Sequence, residues 1–421
     1  MRKVIWRGLA GVLIFTPLAR GTVKVWSIAP VLGIIYTLVF WKLLNTLGSV
    51  PLERQKNALS GRVPSLWLPI SVFAALAVIS FVFSIYKHDS FSALLRLFAY
   101  IGVYYLIVNS FDSQMIKRLI NLVIIIATGL SIYGFLQYFA GLNHSWWIPN
   151  KFLAATYVNH NHFAGYLELV IPAAIGMLFS RGASGRVPLE RQKNALSGRI
   201  PAYRKLFLTL ALIIMVVVFI FTQSRGAWIS LAIALSVMNI ALVKRGRLSK
   251  KTFFMLPLLA ALIFAFIYTN REEIYRRVET INVAPGSETS LQGRLKIWQG
   301  ALGMIREHPL LGVGIGDFDW GFYRYRPVGF EGRAVYAHND YLHMAAEMGV
   351  FAPIIMLWIF MIAIFSGLKK ENRSLALGCA AGILCLSLHG LVDFNFHIPA
   401  NMLLFTVYLA IVMSKGETRR T

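Results

Sequence analysis

Three separated residues carry the chemistry that this sequence could perform. Arg225 lies in a very short turn between two apolar segments, and Arg294 follows a glycine at the start of a helical pattern. His338 stands directly before another apolar segment, next to Asn339. A guanidinium offers a planar fork of donors to phosphate oxygens and stays charged at any relevant pH. An imidazole titrates near neutral pH, so these residue types indicate an anion site and a general base.

Each of these residues also has a plainer interpretation. Arg225 could reach lipid headgroups, although a cation at that boundary opposes the charge bias of the rest of the chain. Arg294 could pair with Glu288 in solvent. Asn339, which we treat as a candidate substrate ligand, stands where a helix cap is expected.

Three weaker groups of residues are also candidates. Asp317 and Asp319 form a D-x-D pattern of the kind that holds a metal and a nucleotide sugar, but such short matches are common by chance. Residues 159–162 contain two histidines that are two positions apart and therefore face different sides of a helix. His389, Asp393 and His397 are spaced four apart, so they can share one helical face, and hydrogen bonding between helices would explain them.

The composition predicts a membrane protein. The 421 residues are 57% hydrophobic and 14% charged, and the mean hydropathy is +0.62. The formal net charge is +24, but the basic residues lie in short clusters between apolar segments, which argues against a nucleic-acid partner and for contact with membrane lipids.

Apolar segments long enough to span a bilayer recur along the chain. They predict an all-α, polytopic membrane protein of about twelve transmembrane helices, with residues 1–421 forming a single integral membrane domain. The expected spans are residues 4–19, 25–45, 66–86, 91–111, 117–139, 160–180, 206–222, 227–243, 253–270, 347–367, 373–392 and 397–415.

The distribution of basic residues orients these spans. With the N-terminus in the cytoplasm, the basic clusters all face the cytoplasm, as the positive-inside rule requires. The long hydrophilic segment 271–346 then lies on the outer side of a bacterial inner membrane. Within it, residues 293–305 predict an amphipathic helix with Leu295, Trp298, Leu302 and Ile305 on one face.

A thirteen-residue stretch occurs twice, at residues 50–62 and 187–199. The segments that flank the two copies are not similar, so the repeat does not indicate a duplicated transporter bundle. Both copies are expected in cytoplasmic loops, without a catalytic role.

Several motifs together closely resemble the O-antigen ligase and polymerase family of bacterial membrane glycan transferases. They are Ser224-Arg225-Gly226, Gly293-Arg294 with Trp298, residues 308–314, and residues 338–342 ahead of residues 347–349. The resemblance is best over about residues 205–365 and adds the expectation of a glycosyltransferase C-like fold, with segment 271–346 as a periplasmic loop.

The resemblance implies transfer of a glycan from undecaprenyl diphosphate to an acceptor sugar hydroxyl at the periplasmic face. Arg225 and Arg294 would hold the diphosphate without a metal or other cofactor, and His338 would be the base, for which a pKa of about 6–7 is useful. Asp393 or Asp340 would orient the imidazole. A single displacement would invert the anomeric centre.

Alternatives remain open at the level of the acceptor and of the function class. A ligase would use the lipid A core, and a polymerase would use another lipid-linked glycan; the shared motifs do not separate them, and we place ligase first. A secondary transporter or flippase is the more distant alternative, because the span count and Arg225 at the membrane boundary also suit it.

Overall fold

A computed structural model describes residues 1–47, 66–142, 144, 152–180, 201–246, 291–330, 332–370 and 373–414. Within these ranges the chain forms fourteen α-helices and no β-strand. The helices are α1 Arg2–Leu18, α2 Val25–Leu47, α3 Trp67–Val82, α4 Lys87–Ser110, α5 Ser113–Ala140, α6 His160–Leu178, α7 Ala202–Phe221, α8 Arg225–Lys244, α9 Leu291–Glu307, α10 Phe318–Tyr325, α11 Asp340–Met348, α12 Phe351–Lys369, α13 Ser374–His389 and α14 Pro399–Met413.

Six of these helices are long and apolar enough to cross a membrane: α2, α4, α5, α7, α8 and α12. Helices α3, α13 and α14 are apolar but shorter. The prediction of an all-α, multi-pass membrane protein is therefore confirmed, while the number twelve stays a prediction. The expected span 253–270 and both repeat copies, 50–62 and 187–199, lie outside the described residues.

A very close contact joins α6 to α13, and glycines make it possible. A Cβ added at Gly176 would lie 2.6 Å from the carbonyl oxygen of Ser374, and one added at Gly378 would lie 2.4 Å from that of Pro172. Helices inside a membrane approach each other this closely where small residues line the interface. The side chains near the opposite end of this pair of helices are thereby held side by side.

Helices α9, α10 and α11 share a small apolar core that is separate from the core of the helix bundle. Ile297 and Met304 of α9 pack there with Phe318 and Phe322 of α10 and Ala346 of α11. This small helical unit forms most of the described part of the long hydrophilic segment. This part of the segment is therefore folded into helices, which can hold side chains in fixed positions.

The helix predicted at residues 293–305 is confirmed, but its apolar face is not the face that packs in the protein. Leu295 and Leu302 are 51% and 42% exposed, whereas Ile297 is fully buried. The reason is Gly300, where an added Cβ would lie only 2.5 Å from the Phe322 ring. The helix packs through this glycine and its neighbours, and the larger leucines turn outward.

Candidate active site

His338 occupies a strained position in the turn that precedes α11. Its φ is +51°, a left-handed backbone conformation that residues other than glycine rarely adopt. The imidazole is buried, and within the described residues its Nδ1 has no hydrogen-bond partner. The nearest carboxylate oxygen is Asp393 Oδ1, at 3.9 Å, which is too long for a hydrogen bond. Such strain and such unpartnered polar atoms are found where a ligand binds.

Asp393 links His338 to a second buried histidine. The carboxylate is fully buried just after α13, and its Oδ2 lies 3.8 Å from His389 Nε2. The other side of that imidazole, at Nδ1, is 2.9 Å from Glu168 Oε1 on α6. The sequence of contacts runs from His338 through Asp393 and His389 to Glu168. We call these four residues, together with Arg294, the His338 cluster.

Helix α9 holds two loops of the site at once. Arg294 Nη1 donates to the carbonyl oxygen of Val392 at 2.9 Å, and Trp298 Nε1 donates to that of Ala337 at 2.9 Å. The donors are four residues apart, so they project from one face of the helix. The two carbonyls directly precede Asp393 and His338. Arg294 Nε is buried and has no partner among the described residues.

Arg225 is the first residue of α8 and is exposed, close to the same loop. A Cβ added at the following Gly226 would lie 2.7 Å from Val392 Cγ2 and 3.0 Å from His389 Cδ2. The preceding turn is anchored to α6 by His160 Nδ1, which donates to the carbonyl oxygen of Thr222 at 2.7 Å. Arg225 therefore starts its helix beside the loop that Arg294 contacts.

The electrostatic environment leaves His338 neutral and Asp393 ionised at neutral pH. Burial, together with the positive charge of Arg294, lowers the pKa of His338 to about 4, although Asp393 opposes the shift. Burial acts to raise the pKa of Asp393, but the surrounding histidines and Arg294 outweigh it and hold that pKa below its ordinary value. This pKa lies below the range of about 6–7 that is useful for a general base at neutral pH.

The two neighbours of His338 in the sequence have structural partners. The Asn339 side-chain oxygen caps α11 by accepting from the backbone N–H groups of Tyr341 and Leu342. Asp340 is fully buried and accepts from His397 Nδ1 at 2.8 Å. Asp340 is therefore engaged elsewhere, and of the two carboxylates expected to orient the imidazole only Asp393 lies near His338.

The D-x-D carboxylates do not converge on a common point. Asp317 Oδ2 accepts from the backbone N–H of Tyr86 at 2.8 Å, and burial raises the pKa of Asp317 to about 6. Asp319 instead pairs with Arg333 at the surface. Two carboxylates with different partners are not arranged to hold one metal ion.

A second group of residues could hold a metal by distance alone. His343, Glu347 and His397 place one ligand atom each within 4.8 Å of one another. However, His343 Nδ1 accepts from the backbone N–H of Ala337 at 3.2 Å, so its Nε2 carries the proton and donates to Glu347 at 3.0 Å. A metal at Nε2 would require the other tautomer. We call these three residues with Asp340 the His343 cluster.

The sequence patterns do not single out Glu168, and they mark His162, which lies beside the site, only as a weak candidate. Glu168 is an acidic residue in an apolar segment, which is the signal that could have identified it. His162 belongs to the weak candidate stretch 159–162, and its buried ring packs edge-on against Phe394 with centroids 4.6 Å apart. Phe394 also contacts the ring of His338, at 4.8 Å.

Comparison with known proteins gives one family match. Residues 210–357 match the model of the O-antigen ligase family. The match contains Arg225, Arg294 and His338, so the family resemblance of these motifs is confirmed. Glu168 and Asp393 lie outside it. No curated protein matches the chain.

Proposed function

We propose that this chain, whose residues 210–357 match the O-antigen ligase family, is a membrane glycosyltransferase that moves a glycan from undecaprenyl diphosphate to an acceptor sugar hydroxyl. The reaction would occur at the periplasmic face of the bacterial inner membrane. It would invert the anomeric centre and require no metal. We place O-antigen ligase, with the lipid A core as acceptor, ahead of O-antigen or exopolysaccharide polymerase.

One observation carries the assignment of roles: Arg294 Nε and His338 Nδ1 are both buried and both without a partner among the described residues. Buried polar atoms are normally hydrogen-bonded, so this pair is suited to the oxygens of a substrate. An arginine beside a neutral imidazole provides a donor for an anionic leaving group and an acceptor for a hydroxyl proton.

The proposed step is a single displacement. The acceptor oxygen bonds to the anomeric carbon as its proton passes to His338, and the bond from that carbon to the diphosphate breaks. Arg225 and Arg294 stabilise the charge that collects on the departing undecaprenyl diphosphate. Asp393 stabilises the imidazolium that forms, and His389 with Glu168 positions Asp393. Because capping uses only its oxygen, Asn339 keeps its amide nitrogen for a substrate hydroxyl.

Reconstitution with defined substrates tests this function. Purified protein in nanodiscs would receive undecaprenyl diphosphate glycan and either a lipid A core acceptor or a second lipid-linked glycan, with EDTA present. We expect glycan on the lipid A core, with the anomeric configuration inverted by NMR. Elongation of the lipid-linked glycan alone would make the protein a polymerase. No transfer to either acceptor, with or without added Mg²⁺ or Mn²⁺, would reject the proposal.

Cysteine labelling tests the orientation. Leu302→Cys on the exposed side of α9 should react in intact cells with a reagent that does not enter the cytoplasm. Ser197→Cys in the second repeat copy should react only after the membrane is opened. The native Cys379 and Cys385 are buried, so they should add little background. The opposite pattern would place the site on the cytoplasmic side and overturn the periplasmic assignment.

A further inference from the structure

The outer end of the bundle contains a cavity that the proposed reaction does not use. Its volume is about 240 Å³, and its walls come from α3, α4, α11, α12 and the segments around α10 and α14; His343 and Glu347 of the His343 cluster line it. Tyr336 lines it and stacks on Phe394 with ring centroids 4.2 Å apart. Phe394 in turn packs edge-on against the His338 ring, with centroids 4.8 Å apart. Two rings in contact thus connect this cavity with the proposed base.

Arg96 is the unusual residue of this cavity. It is the tenth residue of α4, about 14 Å along a helix that is apolar enough to cross a membrane. The side chain is half-buried, and no hydrogen bond or ion pair to it is found within the described ranges. An arginine inside a span is costly unless it meets an anion, so its position in the cavity wall indicates an anionic ligand.

The acidic groups near Arg96 already have partners. Asp89 accepts from Trp320 Nε1 at 2.9 Å, and Asp319 pairs with Arg333. Glu347 accepts from His343 at 3.0 Å. These contacts engage the carboxylates with other donors. Asp89 also interacts electrostatically with Arg96, but the guanidinium makes no hydrogen bond or ion pair within the described ranges. A phosphate group, which an arginine binds through two parallel hydrogen bonds, fits this arrangement.

The cavity continues into an apolar groove. A second, smaller space of about 60 Å³ shares Phe73, Leu97 and Met402 with it and runs on to Tyr104 and Leu409, between α3, α4, α12 and α14. Its lining is almost entirely hydrocarbon and aromatic. Leu97 and Met402 are only half-buried. A hydrocarbon chain entering from the bilayer would find a matching surface here.

The order of chemical character points to one class of ligand. Along α4, the lining passes from the carboxylate of Asp89, which suits sugars, to the guanidinium of Arg96, which suits phosphate, and then to Leu97 and Tyr104 of the apolar groove. We infer that this is a second lipid site, which holds the acceptor lipid by a phosphate at Arg96 and by its hydrocarbon chain in the groove. This inference rests on the proposed function, because it assigns the acceptor lipid to this cavity and the donor to the His338 cluster.

Photolabelling can test lipid binding without any transfer reaction. The probe is phosphatidic acid with a diazirine in one acyl chain, added to the purified full chain in detergent; the matching diacylglycerol is the uncharged control. We expect labelled peptides from α4 and α14. Arg96→Gln should reduce labelling by phosphatidic acid about tenfold or more, and Leu97→Trp, which fills the groove, should reduce it as well. Arg7→Gln, at an exposed arginine of α1, should leave labelling unchanged.

Kinetics then identify the source of the lipid. With the lipid A core or lipid-linked glycan as acceptor, Arg96→Gln should raise the KM for the acceptor about tenfold and leave that for the donor unchanged. Loss of labelling with an unchanged acceptor KM would make this a membrane phospholipid site and overturn the acceptor assignment. Labelling that Arg96→Gln does not change would overturn the lipid site. If wild-type protein transfers no glycan, the proposed function fails, and labelling alone still decides whether a lipid binds here.

Discussion

Two histidine and carboxylate clusters are connected through the stacked rings of Tyr336 and Phe394, and they differ in how far their polar atoms are satisfied. In the His343 cluster, His343 bonds to Glu347 and His397 bonds to Asp340, at 3.0 and 2.8 Å. In the His338 cluster, the nearest carboxylate oxygen to His338 is 3.9 Å away. Similar side chains therefore serve different ends: satisfied pairs stabilise the fold, whereas an unsatisfied imidazole is available to a substrate.

Replacing His338 should produce the largest change in this comparison. His338→Gln removes the base but no protein hydrogen bond at Nδ1, so turnover should fall by about 10²–10⁴-fold with little change in melting temperature. Donor binding should be largely retained. Transfer assays and thermal denaturation in detergent measure both quantities. Near-normal turnover would remove His338 from the role of base.

Breaking the His343 cluster should instead affect stability. His343→Leu removes the imidazole that donates to the buried Glu347 carboxylate, whose remaining partners are backbone N–H groups such as that of Phe318, and we expect a loss of about 3–5 kcal/mol in the free energy of unfolding. The matched control is the double variant with Glu347→Leu, which removes both side-chain partners but also the acceptor of the Phe318 N–H, so it should recover only part of the loss. Thermal denaturation checks this. A single variant as stable as the wild type would mean that this cluster is not structural.

Arg294→Lys tests the geometry of the donor site. Lysine keeps the charge but loses the fork that reaches both the Val392 carbonyl and a phosphate, so transition-state stabilisation should fall by about 2–4 kcal/mol. Unlike the His338 variant, this one should also bind the donor more weakly. Binding of undecaprenyl diphosphate glycan and turnover, measured on the same preparation, separate the two effects. Rescue by lysine would argue against a bidentate contact.

The pH dependence should give the smallest of these effects. The active form of His338 is neutral, and its pKa is about 4 without substrate, so kcat/KM should hold from neutral pH down to about that value and fall below it. A bound diphosphate would offset the charge of Arg294 and raise the pKa of His338. The acid limb of kcat should therefore lie at a higher pH than that of kcat/KM. Coincident limbs would mean that the donor does not approach this imidazole.

The sequence predicts the elements of this fold better than their faces. Apolar length alone places α2, α4, α5, α7, α8 and α12 as spans. The buried face of α9 does not follow from its apolar pattern. That pattern includes Leu295 and Leu302, whereas the close approach at Gly300 decides which face packs. A contact that depends on the absence of a side chain cannot be recognised from the spacing of hydrophobic residues.

The sequence predicts the parts of the site that lie in local motifs, but not the parts that depend on contacts between helices. Arg225, Arg294 and His338 stand in recognisable local motifs. In the structure Arg294 reaches from α9 to the loop of Asp393 beside His338, and Arg225 begins α8 next to that loop. Glu168 is far from these residues in the chain and reaches the site only because α6 packs against α13. The lowered pKa of His338 depends on burial and on the approach of Arg294, which are properties of the folded chain.

The glycine contact between α6 and α13 has a consequence for genetics. At Gly378, even a methyl group would meet the carbonyl oxygen of Pro172 at 2.4 Å, so the helices would have to separate. Glu168 and His389, which lie on these same helices, would then move apart. Random mutagenesis followed by selection for loss of surface glycan should thus yield alleles at Gly176 and Gly378 alongside those at His338. Immunoblots of membrane fractions would sort them, because the glycine alleles should lower protein abundance and the histidine alleles should not.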